Sequence, residues 1–236
     1  EVRVMLPRQF YSLRQKINER MPHGPAVSTV YMLHEVYADG ETPADAVCAV
    51  SLSRFTAWLD RLPADRVGTP EQLNEQGAVL LTFDDMFASA YRYALPELRR
   101  RKLSYTVFIA PGLLGRKNYI TEDELRALAA DPLCTVGAHT MRHEMLRFQA
   151  DTVVRQELSS SKAYLEAALS REILNFAYPY GSVYACSRAN IAAAAESGFA
   201  RCFSTLNRNI TAADLRAPWF LPRKNINDAA LRRKGV

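Results

Sequence analysis

Residues 78–102 read AVLLTFDDMFASAYRYALPELRRRK, a passage that changes character twice. Residues 78–83 are apolar except for Thr82, dense enough for a strand covered on both faces, which is how parallel strands read. Two carboxylates, Asp84 and Asp85, close that run. Over residues 88–101 the apolar side chains recur at helical spacing, and Pro96 is expected to kink or divide the helix. A strand, a polar end and a returning helix form one βα unit. A strand buried on both faces needs more such units beside it.

Outward from there the alternation repeats. Strand-like runs lie at 28–33, 106–110, 134–138, 174–178, 199–205 and 221–226. Helical patterns fall between them. Residues 53–62 place Phe55, Trp58, Leu59 and Leu62 on one face, and Thr121-Glu122-Asp123-Glu124 is a capping box opening a helix to about residue 130. Residues 151–169 offer Val153, Val154, Leu158, Tyr164, Leu165 and Leu169 for burial, and 187–197 stop at Gly198, a C-terminal cap. About seven strand–helix units predict an α/β fold with a closed, barrel-like parallel sheet, in one domain over 1–236 with its core at about 28–226. An open doubly wound sheet is the alternative, but no GxGxxG loop supports it.

Composition excludes several classes. Of 236 residues, 48% are hydrophobic and 23% charged, a globular balance that rules against disorder. The net charge of +5 gathers partly in Arg99-Arg100-Arg101-Lys102 and Arg232-Arg233-Lys234. The first cluster ends a helix, where cations suit the dipole, and no nucleic-acid motif accompanies either, so no nucleic-acid partner is expected. Four cysteines without a CxxC pair exclude zinc-finger and dense disulfide frameworks, and Cys134 and Cys202 read as core. No run approaches the roughly 18 apolar residues of a transmembrane segment. The isolated cysteines and lack of a visible export signal slightly favour the cytoplasm, with the cell envelope as the other expectation; the chain starts at Glu1 without Met, and the oligomeric state is not read.

The polar residues fall at strand ends. His34 follows the first run, Asp84 and Asp85 the second, His139 the fourth, and Pro179-Tyr180-Gly181 the fifth. In a parallel barrel these ends open onto one face. Adjacent carboxylates ending an apolar strand repel each other and resist desolvation, costs a divalent cation would relieve; as a bland alternative they cap the following helix. His139 and His143 stand four apart, so one helical turn would put both imidazoles on one face, able to share a metal. With one carboxylate they make a His₂Asp set that leaves coordination positions open, the layout of a catalytic site. Residues 176–181, FAYPYG, read as a strand entering a turn, able also to wall a pocket and offer a backbone N–H to an oxyanion.

Taken in order, Thr82-Phe83-Asp84-Asp85, His139-Thr140-Met141-Arg142-His143 and Pro179-Tyr180-Gly181 resemble the three motifs of the polysaccharide deacetylase family, carbohydrate esterase family 4. The likeness covers nearly the whole chain. It implies a distorted (β/α)₇ barrel, Asp84 as general base, and Asp85, His139 and His143 around a divalent metal, zinc or alternatively cobalt or nickel. It also implies a glycan substrate carrying N-acylated amino sugars, with Tyr180 and Pro179 at the oxyanion. Two departures stand out. Many members carry Arg before the Pro-Tyr-Gly motif where this chain has Ala177, and no histidine follows His143 to act as acid. His34, in Tyr31-Met32-Leu33-His34, is similar to an N-terminal segment of the subgroup that deacetylates poly-N-acetylglucosamine, and is the expected acid. Arg223 is the expected residue orienting Asp84, and His23 is read as a loop residue without a role. The alternatives are a deacetylase or deformylase of lipid-linked or small amino sugars, and a non-catalytic glycan-binding relative.

Overall fold

The computed structural model describes residues 24–236 together with Gln15, Lys16 and Glu19; His23 lies outside the described residues. The strands are β1 (Ala26–Leu33), β2 (Glu35–Tyr37), β3 (Ala49–Ser51), β4 (Val79–Asp84), β5 (Tyr105–Ile109), β6 (Cys134–Ala138), β7 (Asn175–Ala177), β8 (Arg201–Phe203), β9 (Ile210–Thr211) and β10 (Lys224–Asn225). The helices are α1 (Leu52–Leu59), α2 (Ala88–Arg100), α3 (Glu122–Ala130), α4 (Asp151–Leu169), α5 (Arg188–Glu196), α6 (Ala212–Arg216) and α7 (Asp228–Arg232).

The main sheet runs β10-β1-β4-β5-β6-β7-β8, all parallel, with β9 antiparallel on β1. From β4 to β8 the spatial order follows the chain without reversal, so there is no switch point of an open doubly wound sheet. The far edge of β8 meets Leu221. The Leu221 N–H donates to Cys202 O at 2.8 Å and the Ser204 N–H donates to Leu221 O at 2.7 Å. A few residues later β10 pairs with β1. The segment 221–225 therefore touches both edges and curls the sheet into a distorted barrel. Its seam is broken at Pro222 and Arg223.

Alternation sorts the side chains into two layers. In β4, Val79, Leu81 and Phe83 pack outward among buried residues of α1 and α2, while Leu80 joins Val30, Phe108, Ala177, Phe203 and Leu221 inside. Phe83 meets Phe55 of α1 edge-to-face at 6.3 Å, and truncating such a ring costs about 3–5 kcal/mol. With a side-chain period of two, Thr82 and Asp84 share the inner face with Leu80. The barrel interior thus turns polar toward the strand C-termini.

Three features differ from the sequence reading. β7 and β8 are only three residues long, and the small parallel pair β2–β3 was not anticipated. α2 runs undivided through Pro96, which lies on the exposed side where the unpaired Arg92 carbonyl can meet water. The cluster at its end is engaged in ion pairs: Arg99 with Asp131 at 2.6 Å, Arg100 with Glu97 at 2.9 Å and Arg101 with Asp60 at 2.7 Å. Cys134 and Cys202 are buried, as their apolar setting predicts. Among the described residues no helix is long and apolar enough to cross a membrane.

Candidate active site

Asp84 is the last residue of β4, and its inward side chain meets a fully buried guanidinium. Arg223 Nη1 and Nη2 donate to Asp84 Oδ1 and Oδ2, both at 2.7 Å, in the parallel fork that arginine forms with carboxylates. Arg223 Nε donates to Ser204 O at 2.9 Å and Nη1 reaches Thr82 Oγ1 at 3.1 Å. The guanidinium carbon lies 5.5 Å from the Phe108 ring centroid. Burial pushes the Asp84 carboxyl up, but the charge and hydrogen bonds of Arg223, with the nearby imidazoles, outweigh it. They hold Asp84 well below the usual carboxylate range.

After Asp84 the chain turns sharply, with left-handed φ of 65° at Asp85 and 52° at Met86. Two consecutive non-glycine residues in this region cost of order 1–3 kcal/mol each, a strain that concentrates at functional sites. The turn throws Asp85 out of the inner face. Neither acid caps α2: its N-cap is Phe87, without a side-chain cap, so the bland reading of the Asp-Asp pair fails.

Asp85 Oδ1 instead faces His143 Nε2 at 3.2 Å and His139 Nε2 at 3.6 Å. His139 Nδ1 lies 2.7 Å from Ala177 O, which places its proton on Nδ1 and turns the Nε2 lone pair toward Asp85. Burial, reinforced by His143, pushes His139 down to about 3 against the pull of Asp84, and burial also lowers His143. Both shifts favour the neutral rings. Burial, with the charge of Asp84, pushes Asp85 up to about 7. Asp85 Oδ1 is buried and has no hydrogen-bond partner among the described residues. Three ligand atoms within 4.8 Å of one another, two imidazole nitrogens and a carboxylate oxygen, fit a divalent cation. The structure brings together the three residues expected to hold a metal, Asp85, His139 and His143. The expected helical turn is absent: Thr140 and His143 have φ of 59° and 61°, and the imidazoles converge through an irregular loop.

His34 follows β1 directly, with Nε2 4.0 Å from Asp84 Oδ2. Its Nδ1 is buried with no hydrogen-bond partner among the described residues. Tyr180, 56% exposed, packs its ring 5.1 Å from that of His143, and Pro179 before it is buried. The Tyr180 N–H has no acceptor among the described residues. Gly181 lets this turn sit against the chain after β8: a Cβ there would lie 2.8 Å from Thr205 N, and its φ is +38°. The structure thus gathers His34, Asp84, Asp85, His139, His143, Tyr180 and Arg223 at one end of the barrel.

Two buried acids beside the site, Glu35 and Glu157, carry no motif in the sequence. Glu35 accepts from the Ala44 and Asp45 N–H groups at 3.0 and 2.8 Å and from Ser89 Oγ at 2.9 Å, tying a loop beside His34. Glu157 of α4 accepts from the N–H groups of Met141 and Arg142, at 3.0 and 2.9 Å, between the two imidazoles. A charged residue within an apolar stripe was the one available signal for Glu157.

Known proteins resemble this chain in sequence and fold. The chain is 29% identical over 119 residues to the poly-beta-1,6-N-acetyl-D-glucosamine N-deacetylase of Staphylococcus aureus (strain MRSA252), covering 44% of this chain and 40% of that one. The chain thus matches well under half the length of this curated relative. The solved structure of IcaB from Ammonifex degensii superposes with a TM-score of 0.71 at 25% identity, covering 89% of this chain and 96% of that one. The Streptococcus pyogenes deacetylase PplD, in complex with acetate, has the same fold, with a TM-score of 0.70 at 22% identity over 86% of this chain and 94% of that one. The family model for polysaccharide deacetylase matches residues 72–200, which enclose the Asp84–Asp85 turn, the His139–His143 loop and the Tyr180 corner. By that match, over more than half of its length, the chain belongs to the polysaccharide deacetylase family.

Proposed function

We propose that the protein is a metal-dependent hydrolase that removes N-acetyl groups from amino sugars of a surface polysaccharide or its precursor. One observation carries the reading. Among the described residues Asp85 Oδ1 is buried without a hydrogen-bond partner, and two imidazole nitrogens face it at 3.2 and 3.6 Å. Hydrogen bonding leaves that arrangement unsatisfied; a cation satisfies all three donors at once. Asp85, His139 and His143 would hold it, zinc being expected from the two nitrogen ligands and one oxygen ligand, with cobalt or nickel as alternatives. Bound there, the ion supplies Lewis acidity for water and for an amide carbonyl.

The remaining residues carry the proton transfers. Asp84, kept ionised by Arg223, accepts a proton from water as its oxygen bonds to the amide carbon. The Tyr180 N–H donates to the carbonyl oxygen as it gains charge. His34 gives a proton to the departing nitrogen, the C–N bond breaks, and acetate and the free amine result. Arg223 fixes both Asp84 oxygens in the plane of its guanidinium, so the carboxylate cannot rotate away. Its presence supports turnover over a purely glycan-binding role, because the cation expected near Ala177 is supplied from the barrel seam.

Metal analysis of the purified protein, followed by acetate release from N-acetylglucosamine oligomers, tests the proposal. The expected result is about one metal per chain, with release abolished by Asp84→Asn. A folded protein that binds oligomers but releases no acetate with zinc, cobalt or nickel would sink it. Running polymeric, oligomeric and lipid-linked donors side by side identifies the acceptor class.

A further inference from the structure

We infer that Glu157 is a positioning residue for the loop that carries His143, an inference resting on the metal reading above. Glu157 lies on α4 in the stripe Val154, Glu157, Leu158, Ser161 and Leu165 that faces the barrel. It is 2% exposed. A carboxylate there loses hydration that an apolar residue would not need, so its partners identify its role. They lie in the three-residue stretch between the two imidazoles. Oε2 accepts both the Met141 and the Arg142 N–H, and Oε1 lies 2.8 Å from Arg142 Nη2.

The loop is held from its other side as well. Gly112, just past β5, donates its N–H to Met141 O at 2.8 Å. A Cβ at Gly112 would stand 2.7 Å from that oxygen, so the close approach depends on glycine. Thr140 Oγ1 accepts the His143 N–H at 3.0 Å, across a loop whose ends, Thr140 and His143, are both left-handed. A loop with such backbone geometry does not hold itself. Glu157 fixes its middle, and through it the imidazole of His143, the more exposed of the two histidines. Reach matters more than charge, since both N–H groups need one oxygen at the right depth.

The test measures zinc affinity by competition with a chromophoric chelator, and the visible band of the cobalt(II) form, for four variants whose folding is checked by circular dichroism. Partners of this kind change metal affinity by about 10- to 100-fold. Glu157→Ala is expected to lose that much. Glu157→Asp, which keeps the charge but draws the oxygens back, loses affinity too and serves if the alanine variant does not fold. Glu157→Gln, which keeps an oxygen at full reach, recovers most of it. Val154→Ala loosens the same helix without removing a hydrogen bond to the loop and keeps wild-type affinity. Wild-type affinity and spectrum in the Ala and Asp variants, an Asp variant better than Gln, or an equal loss in Val154→Ala overturns the inference. A wild-type protein that takes up neither zinc nor cobalt overturns instead the metal reading beneath it.

Discussion

Replacing Arg223 by methionine removes the guanidinium while keeping an unbranched apolar chain of similar length. The change strands Asp84, whose side chain is 3% exposed, without a cation. Two charge-assisted hydrogen bonds of 2.7 Å disappear, each worth about 1.5–3 kcal/mol net. Breaking a buried ion pair by removing one partner costs about 3–5 kcal/mol, consistent with that sum. For a domain of this size 1 kcal/mol moves Tm by about 2–4 °C, so the expected fall is roughly 6–20 °C at neutral pH.

The deficit has a definite pH dependence. In the wild type the Asp84 pKa is depressed, so its contribution is present above the unfolded pKa of about 4 and is lost as pH falls. In Arg223→Met burial loses its main opponent and the folded pKa is expected above the unfolded one. The penalty is then full at high pH and is relieved as Asp84 protonates. Both effects narrow the gap on acidification. Thermal unfolding followed by circular dichroism from pH 8 to pH 4 measures it, and Asp84→Asn combined with Arg223→Met should recover most of the loss by removing the stranded charge. A single variant as stable as wild type, or a gap that widens toward acid, refutes the reasoning.

His34→Ala should keep its metal and lose about 10²- to 10⁴-fold in turnover, the usual contribution of a positioned acid; near-normal turnover in the metal-loaded variant removes His34 from the mechanism. In metal-free protein, Asp85 is pushed up to about 7 by burial and by Asp84, so its contribution to stability is full below about 4 and lost as pH rises through 7. Stripping metal with a chelator should therefore give a Tm that declines between pH 5 and pH 8 relative to the zinc-loaded protein, and parallel curves would count against it. Zinc affinity should weaken below pH 7, where protons compete for Asp85, as a titration at pH 5.5 and 7.5 would reveal. Gly181→Ala should cost about 1–3 kcal/mol, since the new Cβ meets Thr205 N at 2.8 Å at a φ of +38°. An unchanged Tm there means the Tyr180 corner gives way more easily than its contacts indicate.

Much of the barrel is legible because buried parallel strands leave continuous apolar runs, and 78–83 and 134–138 are such runs. Function shows where those runs stop, at His34, Asp84 and His139. What escaped notice had no periodic signature. β2 and β3 are three residues each, too short for alternation to register. Glu157 and Ser161 occupy the same buried stripe as Val154, Leu158 and Leu165, but a search for apolar residues passes over polar ones at the same spacing. The His139–His143 spacing suggests a helical turn because four residues make one, yet left-handed Thr140 and His143 bring the rings together by another path. Local spacing cannot anticipate it, because the loop takes its shape from Gly112 and Glu157, distant in sequence.

Asp84 and Asp85 are neighbours in the chain with opposite electrostatic fates, and the difference separates their roles. The left-handed turn at Asp85 gives the two carboxylates different partners at the same end of the barrel. Asp84 meets Arg223 from the seam and stays ionised far into acid. Asp85 is pushed up to about 7, and among the described residues its close partners are two imidazoles that burial keeps neutral. When adjacent titratable groups are driven apart in this way, the environments assign the chemistry. Asp84 already has its cation from within the protein, so it needs nothing further to serve as an anionic base. Asp85 lacks one, and in the proposed reading an ion would supply the charge that completes it. Exchanging the two roles would place a metal ion against the guanidinium of Arg223, two cations competing for one carboxylate inside the barrel.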